Sequence, residues 1–150
     1  MFSRTLALVT VTLGLLSLAG CSSPRLDHIA VRVEAIKPEG ANLVITLRFI
    51  NTNNIPLVIS GASHTLTLNG QRVGSINNKE AVGVPPMGTT TQDVQLPATL
   101  AKTTRKIAAR DADQTTYQLE SSLKIAWDED TVNYQTGSRG SLALKSLANP

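Results

Sequence analysis

Asn42-Leu43-Val44-Ile45-Thr46-Leu47-Arg48-Phe49-Ile50-Asn51-Thr52-Asn53-Asn54-Ile55-Pro56-Leu57 is the stretch that decides the fold class. Leu43, Ile45, Leu47 and Phe49 recur at every second position, with Val44, Thr46 and Arg48 between them. Successive side chains leave a pleated backbone on opposite sides, so this period marks a strand with one face in a core. The run stops at Asn51-Thr52-Asn53-Asn54. Asn accepts left-handed backbone and caps turns with its own side chain. The extended pattern resumes at Ile55. Pro56 cannot donate to a ladder, so it marks a strand start or an edge.

The same period extends in both directions. Upstream, Ile29, Val31, Val33 and Ala35 alternate with Ala30, Arg32 and Glu34, and Pro38-Glu39-Gly40 supplies a turn. The two runs therefore predict a hairpin. Downstream, Gly61 is expected to end the extended run 55–59, and residues 63–68 form a further strand. Asn69-Gly70 is a type I′ hairpin signal, because both central residues of that turn need positive φ. Residues 72–76 return from it, residues 77–80 turn again, residues 82–88 make an irregular crossing and residues 92–96 form a short strand. Residues 97–110 are the one helical stretch: Leu100, Thr104, Ile107 and Ala108 share one face, and Lys102, Arg105, Lys106 and Arg110 the other. Tyr117, Leu119, Leu123, Ile125 and Trp127 then alternate up to a polar turn, Asp128-Glu129-Asp130. Residues 132–134 and 141–145 complete the sheet, separated by Gly137 and Gly140, and residues 147–150 are expected to fray. Many short strands with regular turns predict a mainly β, antiparallel two-sheet sandwich of about seven strands with one helix.

Residues 1–20 read as a secretory leader: Arg4 gives the positive start, and residues 6–19 are an apolar run too short for a comfortable membrane span. Leu18 stands where an ordinary signal peptidase wants a small residue. Leu18-Ala19-Gly20-Cys21 instead resembles the lipobox of bacterial prelipoproteins. That resemblance implies diacylglyceryl transfer to the Cys21 sulfur, cleavage after Gly20 and fatty (palmitate-type) acylation of the new amino terminus. Cys21 is the single cysteine of the chain, so it has no internal disulfide partner. Residues 21–26 would be the lipidated tether. Ser22 follows the cysteine where an Asp would signal inner-membrane retention, so the lipoprotein resemblance implies the periplasmic face of the outer membrane in a bacterial envelope.

The sequence carries 14 Lys and Arg against 11 Asp and Glu. Without the leader's Arg4 the balance is 13 to 11, a formal charge of about +2. Such a weak basic excess excludes a nucleic-acid binder. Residues 27–146 suit one domain, whose core must be built from Leu, Ile and Val, because only Phe49, Tyr117, Trp127 and Tyr134 are aromatic after the leader.

No motif for nucleophilic catalysis, phosphate binding or a metal centre occurs, so no catalytic, cofactor-binding or metal-ligating residue is assigned and no enzyme is expected. His28 and His64 are expected at the surface or at strand ends, and Asp128-Glu129-Asp130 in a solvated turn. Cys21 is the lipidation site. Lys102, Arg105, Lys106 and Arg110 are the candidate interaction face, suited to anionic headgroups or envelope proteins, each charge adding about 1 kcal/mol near an anionic surface. The plainer reading is a solvated face balanced by Asp111 and Asp113.

Residues 27–146 resemble the late-embryogenesis-abundant type 2 family, also called the water-stress-and-hypersensitive-response domain. The resemblance rests on residues 47–57, on Leu66-Thr67-Leu68-Asn69-Gly70-Gln71-Arg72-Val73-Gly74 with Val84-Pro85-Pro86, and on Tyr117-Gln118-Leu119 with Gly140-Ser141-Leu142-Ala143-Leu144. Thr52 stands where the family pattern has Pro, and Glu120-Ser121 replace its usual Gly. The resemblance implies a fibronectin-III-like sandwich of the immunoglobulin-like kind. It also implies a non-enzymatic protein associated with desiccation and stress, often a lipoprotein in bacteria. The alternative is an envelope binding module, an adaptor or apolar-ligand carrier, working through the face of helix 97–110.

Overall fold

A computed structural model describes residue 26 and residues 28–127 and 129–148. Cys21, the leader, most of the tether and Asp128 lie outside the described residues.

The opening stretch is β2 (Asn42–Asn51), which pairs antiparallel with β1 (Ile29–Glu39) on one side and β6 (Thr89–Gln95) on the other. The second sheet holds β3 (Leu57–Leu68), β4 (Gln71–Asn78), β7 (Thr115–Trp127) and β8 (Asp130–Leu142), in the order β4-β3-β7-β8. A three-residue β5 (Val82–Val84) pairs with the start of β3. All pairings are antiparallel, and the inner faces of both sheets meet in one apolar core. The molecule is the mainly β sandwich that the alternation predicts, with eight strands among the described residues.

Three departures have local causes. β1 carries a bulge between Val33 and Ala35, and the extra residue reverses the parity of its faces. Ile36, 2% exposed, therefore takes the core position expected of Ala35. Pro38 stays inside β1 because β1 is an edge strand, where its missing N–H costs no ladder bond. Gly61 does not end a strand: it sits at a second bulge, and β3 runs through it. Leu57 and Ile59 face the core before the bulge, and His64, Leu66 and Leu68 after it. Gly137 and Gly140 likewise lie within one strand, not between two. A Cβ on Gly140 would sit 2.7 Å from Tyr117 Cε1, so the glycine makes room for the ring opposite it.

The Asn69-Gly70 turn is as read, with φ of 46° and 74°. Both sides of the sandwich are laced by side chains. On one side the Ile29 amide donates to Tyr134 Oη (3.2 Å) and Ser138 Oγ to the Val31 carbonyl (2.5 Å). On the other, Thr90 Oγ1 donates to the Gly83 carbonyl (2.7 Å) and Asn78 Nδ2 to Gln92 Oε1 (2.6 Å). The first three engage backbone groups of the edge strand β1 and of β5, and the fourth joins two side chains.

The helix, α1 (Ala98–Ala108), is slightly shorter than read. It buries Ala101, Thr104, Ile107 and Ala108, while Leu100 is only half-buried and lies against the β4 backbone at Gly74. Past β8, Leu144 and Leu147 are buried, and residues 147 and 148, expected to fray, belong to a four-residue α2 (Lys145–Ala148).

Candidate functional site

Three of the four cations named as a candidate interaction face, Lys102, Arg105 and Lys106, come together at one groove. Lys102, Arg105 and Lys106 project from α1 and Arg110 from the turn after it, all four exposed. Lys102, Arg105 and Lys106 line an open groove of about 520 Å³ between α1 and the β1–β2 turn, floored by Ala98, Ala101 and Asn42. Arg105 is fixed there by donating to the Ala41 carbonyl at 2.9 Å.

The acids expected to balance this face do other work. Asp111 accepts from Asn69 Nδ2 at 3.1 Å, which ties the end of the helix to the β3–β4 turn. Asp113 pairs with Lys145 at 3.1 Å. The other ion pair among the described residues, Arg48–Glu34 at 2.6 Å, lies out on the β1–β2 sheet. Four exposed cations are thus left without a carboxylate at ion-pair distance among the described residues, an arrangement that can receive an anion.

His64 is not where the sequence reading expects it. It is fully buried in the middle of β3, its ring edge-on to Phe49 at 6.2 Å between centroids. Nδ1 shares a hydrogen bond of 2.8 Å with Ser121 Oγ, and Nε2 has no partner among the described residues. Burial lowers its pKa from 6.5 to about 4, so the ring is neutral. His64 stands two residues before Leu66 and four before Leu68, so the period of residues 63–68 already places it on their buried face, a signal that its polar ring overrode in the sequence reading. His28 is exposed, and no group of three or more potential metal ligands occurs among the described residues.

The opposite end of the sandwich was legible only in part. Asn51, 1% exposed, is the hub of that end. Its Nδ2 donates to the carbonyls of Ile55 (2.8 Å) and Pro85 (3.0 Å), and its Oδ1 accepts from the amide (2.9 Å) and side chain (2.8 Å) of Asn53. Thr52, in place of the family pattern's Pro, sends its amide (3.4 Å) and hydroxyl (2.5 Å) to the His28 carbonyl, bonds that a proline could not make. The Asn51 amide donates to the Gly88 carbonyl and the Met87 amide to the Asn53 carbonyl, both at 2.9 Å. Met87 is held at φ 47° and stands 72% exposed. The sequence places an irregular crossing at residues 82–88, but its period gives no sign that the uncharged run Pro85-Pro86-Met87-Gly88 displays Met87 to solvent.

Two laced antiparallel sheets with one short helix across an end define a β-sandwich domain of the immunoglobulin-like kind. Residues 46–134, more than half of the sequence, match the family model of late embryogenesis abundant protein, LEA_2, and the chain belongs to that family. The match contains Asn51–Asn53, the Asn69-Gly70 turn and the Val84-Pro85-Pro86 crossing. Among solved structures, the chain is similar to a protein from Archaeoglobus fulgidus (17% identity, 81% of this chain and 98% of that one, TM-score 0.44). It is also similar to a putative late embryogenesis abundant protein solved in solution (16% identity, 81% and 74%, TM-score 0.47). A third similarity is to a protein from Arabidopsis thaliana (16% identity, 79% of each chain, TM-score 0.44). No curated protein matches the chain.

Proposed function

We propose that this chain is a lipid-anchored, non-enzymatic LEA_2 domain of the bacterial envelope, held through Cys21 at the periplasmic face of the outer membrane, where it limits damage when water is lost. The observation that carries this reading, beside the family itself, is one continuous apolar core under a hydrogen-bonding exterior. The depressions on the outer sheet faces are lined by side chains such as Ser63, Thr65, Ser122, Gln135 and Thr136, and none of the described depressions is lined by Leu, Ile, Val or Phe. A rigid surface of hydroxyls and amides can replace some of the hydrogen bonds that neighbours lose as water leaves. The anchor is tested by the intact mass of protein extracted from the envelope. Cleavage before Cys21 with added acyl mass supports it, as does release of a Cys21→Ala variant from the membrane; an unmodified Cys21 in a soluble product contradicts it.

A second reading, an envelope binding module, is favoured by the unbalanced cations around the α1 groove. It takes an anionic partner at that face, and charge reversal at Lys102 and Lys106 tests it.

A further inference from the structure

We infer that the end of the sandwich built from residues 52–58 and 82–88 rests on the bilayer, with Met87 entering the boundary between headgroups and acyl chains. The inference rests on the lipid-anchor reading of Cys21 and adds an orientation and a contact surface to it.

The chain enters the domain at this end. Ile29 pairs with Asn51, and the His28 carbonyl accepts from Thr52, so the domain begins at the end that carries Met87. Cys21 and His28 have six residues between them, seven steps of the backbone, a reach of at most about 25 Å in any conformation. The α1 groove lies by Ala41 at the far end of the β1–β2 hairpin, about 30 Å further along at the rise of a strand. A lipid on Cys21 therefore brings the Met87 end to the bilayer and leaves the basic helix facing away.

The exposed large hydrophobic residues among those described are Val58 and Met87, and both lie at this end, since Val58 pairs with Gly83 of β5. Exposed Pro56, Pro85 and Pro86 flank them. Residues 50–58 and 81–88 contain no Asp, Glu, Lys or Arg. Glu129 and Asp130 follow β7 at the same end. This commits the contact to insertion of apolar side chains and not to attraction by anionic headgroups.

The Met87 backbone is strained. A non-glycine residue at φ 47° is disfavoured, and here the buried Asn51–Asn53 network holds it. Glycine would occupy this backbone without cost. The network instead holds a flexible, apolar thioether out from the surface, with the Met87 amide donating to the Asn53 carbonyl at 2.9 Å.

The test uses the full chain, lipidated at Cys21 and inserted into phosphatidylcholine vesicles containing bilayer-embedded quenchers. Acylation consumes the Cys21 thiol, so Met87→Cys, Val58→Cys and Lys106→Cys can each carry one environment-sensitive label. Labels at 87 and 58 are expected to be quenched several-fold more than the label at 106. Equal or greater quenching at 106, or quenching at 87 and 58 no stronger than for a water-soluble labelled control, overturns the inference. Intact mass is read on the same samples. A Cys21 without lipid, on protein that stays in solution, fells the anchor reading and this inference with it, and is distinguishable from a lipidated chain lying in another orientation.

Discussion

His64 Nδ1 lies 2.8 Å from Ser121 Oγ, a cross-strand pair between β3 and β7 set among Leu, Ile and Phe side chains. The ring gains a single hydrogen bond there, and desolvation keeps it neutral by lowering its pKa from 6.5 to about 4. The unfolded chain binds a proton near pH 6.5 that the folded chain refuses until about pH 4. Stability is therefore full above pH 6.5 and falls as pH drops through this window, by up to about 3 kcal/mol. Urea midpoints measured from pH 8 to pH 4 should be flat at first and then decline. His64→Leu should flatten that decline. An equal decline in the variant would show that other groups set it.

Asn51 serves five backbone and side-chain partners from a nearly closed site, and its removal strands the carbonyls of Ile55 and Pro85 and the amide of Asn53. Asn51→Ala should cost about 2–4 kcal/mol. Asn51→Asp should not rescue it, because the carboxylate retains the acceptor for Asn53 but brings no donor to the carbonyls. Denaturant unfolding of both variants checks this; a wild-type midpoint in the Asp variant would contradict it.

Gly74 is where the helix meets the second sheet. Its φ is +147°, and a Cβ there would stand 2.9 Å from Leu100 Cδ1. Gly74→Ala should destabilise by about 1–3 kcal/mol through backbone strain and overpacking. In the Gly74→Ala, Leu100→Ala double variant the steric part is relieved, so the loss should be smaller than the sum of the two single losses. Strict additivity in thermal unfolding would contradict the contact.

Lys102, Lys106 and Arg110 are exposed and make no ion pair among the described residues, so each substitution by Ala should change stability by less than about 0.5 kcal/mol. Arg105→Ala should cost more, because it frees the β1–β2 turn at Ala41. If the groove receives an anion, Lys102→Glu with Lys106→Glu should abolish salt-sensitive retention of the chain on a polyanionic resin with its unfolding midpoint unchanged. Undiminished retention would remove the binding-module reading.

The sandwich was legible because alternation in β1, β2 and β7 is a backbone-level signal, and Asn69-Gly70 specifies its turn by φ alone. The basic helix face was legible for the same reason, at helical period. Parity changes were not. The bulge at Val33/Ala35 moves one residue out of step and sent Ile36 inward against the count, while the bulge at Ile59/Gly61 hid that residues 57–68 are one strand. The destinations of Asp111 and Asp113 were hidden too, because Asn69 and Lys145 reach them only through the tertiary fold. The Met87 end depends on the same kind of contact, since Asn51 and Pro85 are 34 residues apart.

The measurement that bears most directly on the whole account is protection during drying. A labile enzyme would be dried and rehydrated beside vesicles bearing the full lipidated chain, or beside vesicles bearing an inert β-sandwich of equal mass on the same lipid. The account predicts clearly higher recovered activity with this chain, reduced when outward Ser63, Thr65 and Ser122 are replaced by alanine. Recovery equal to that with the inert sandwich would contradict direct protection.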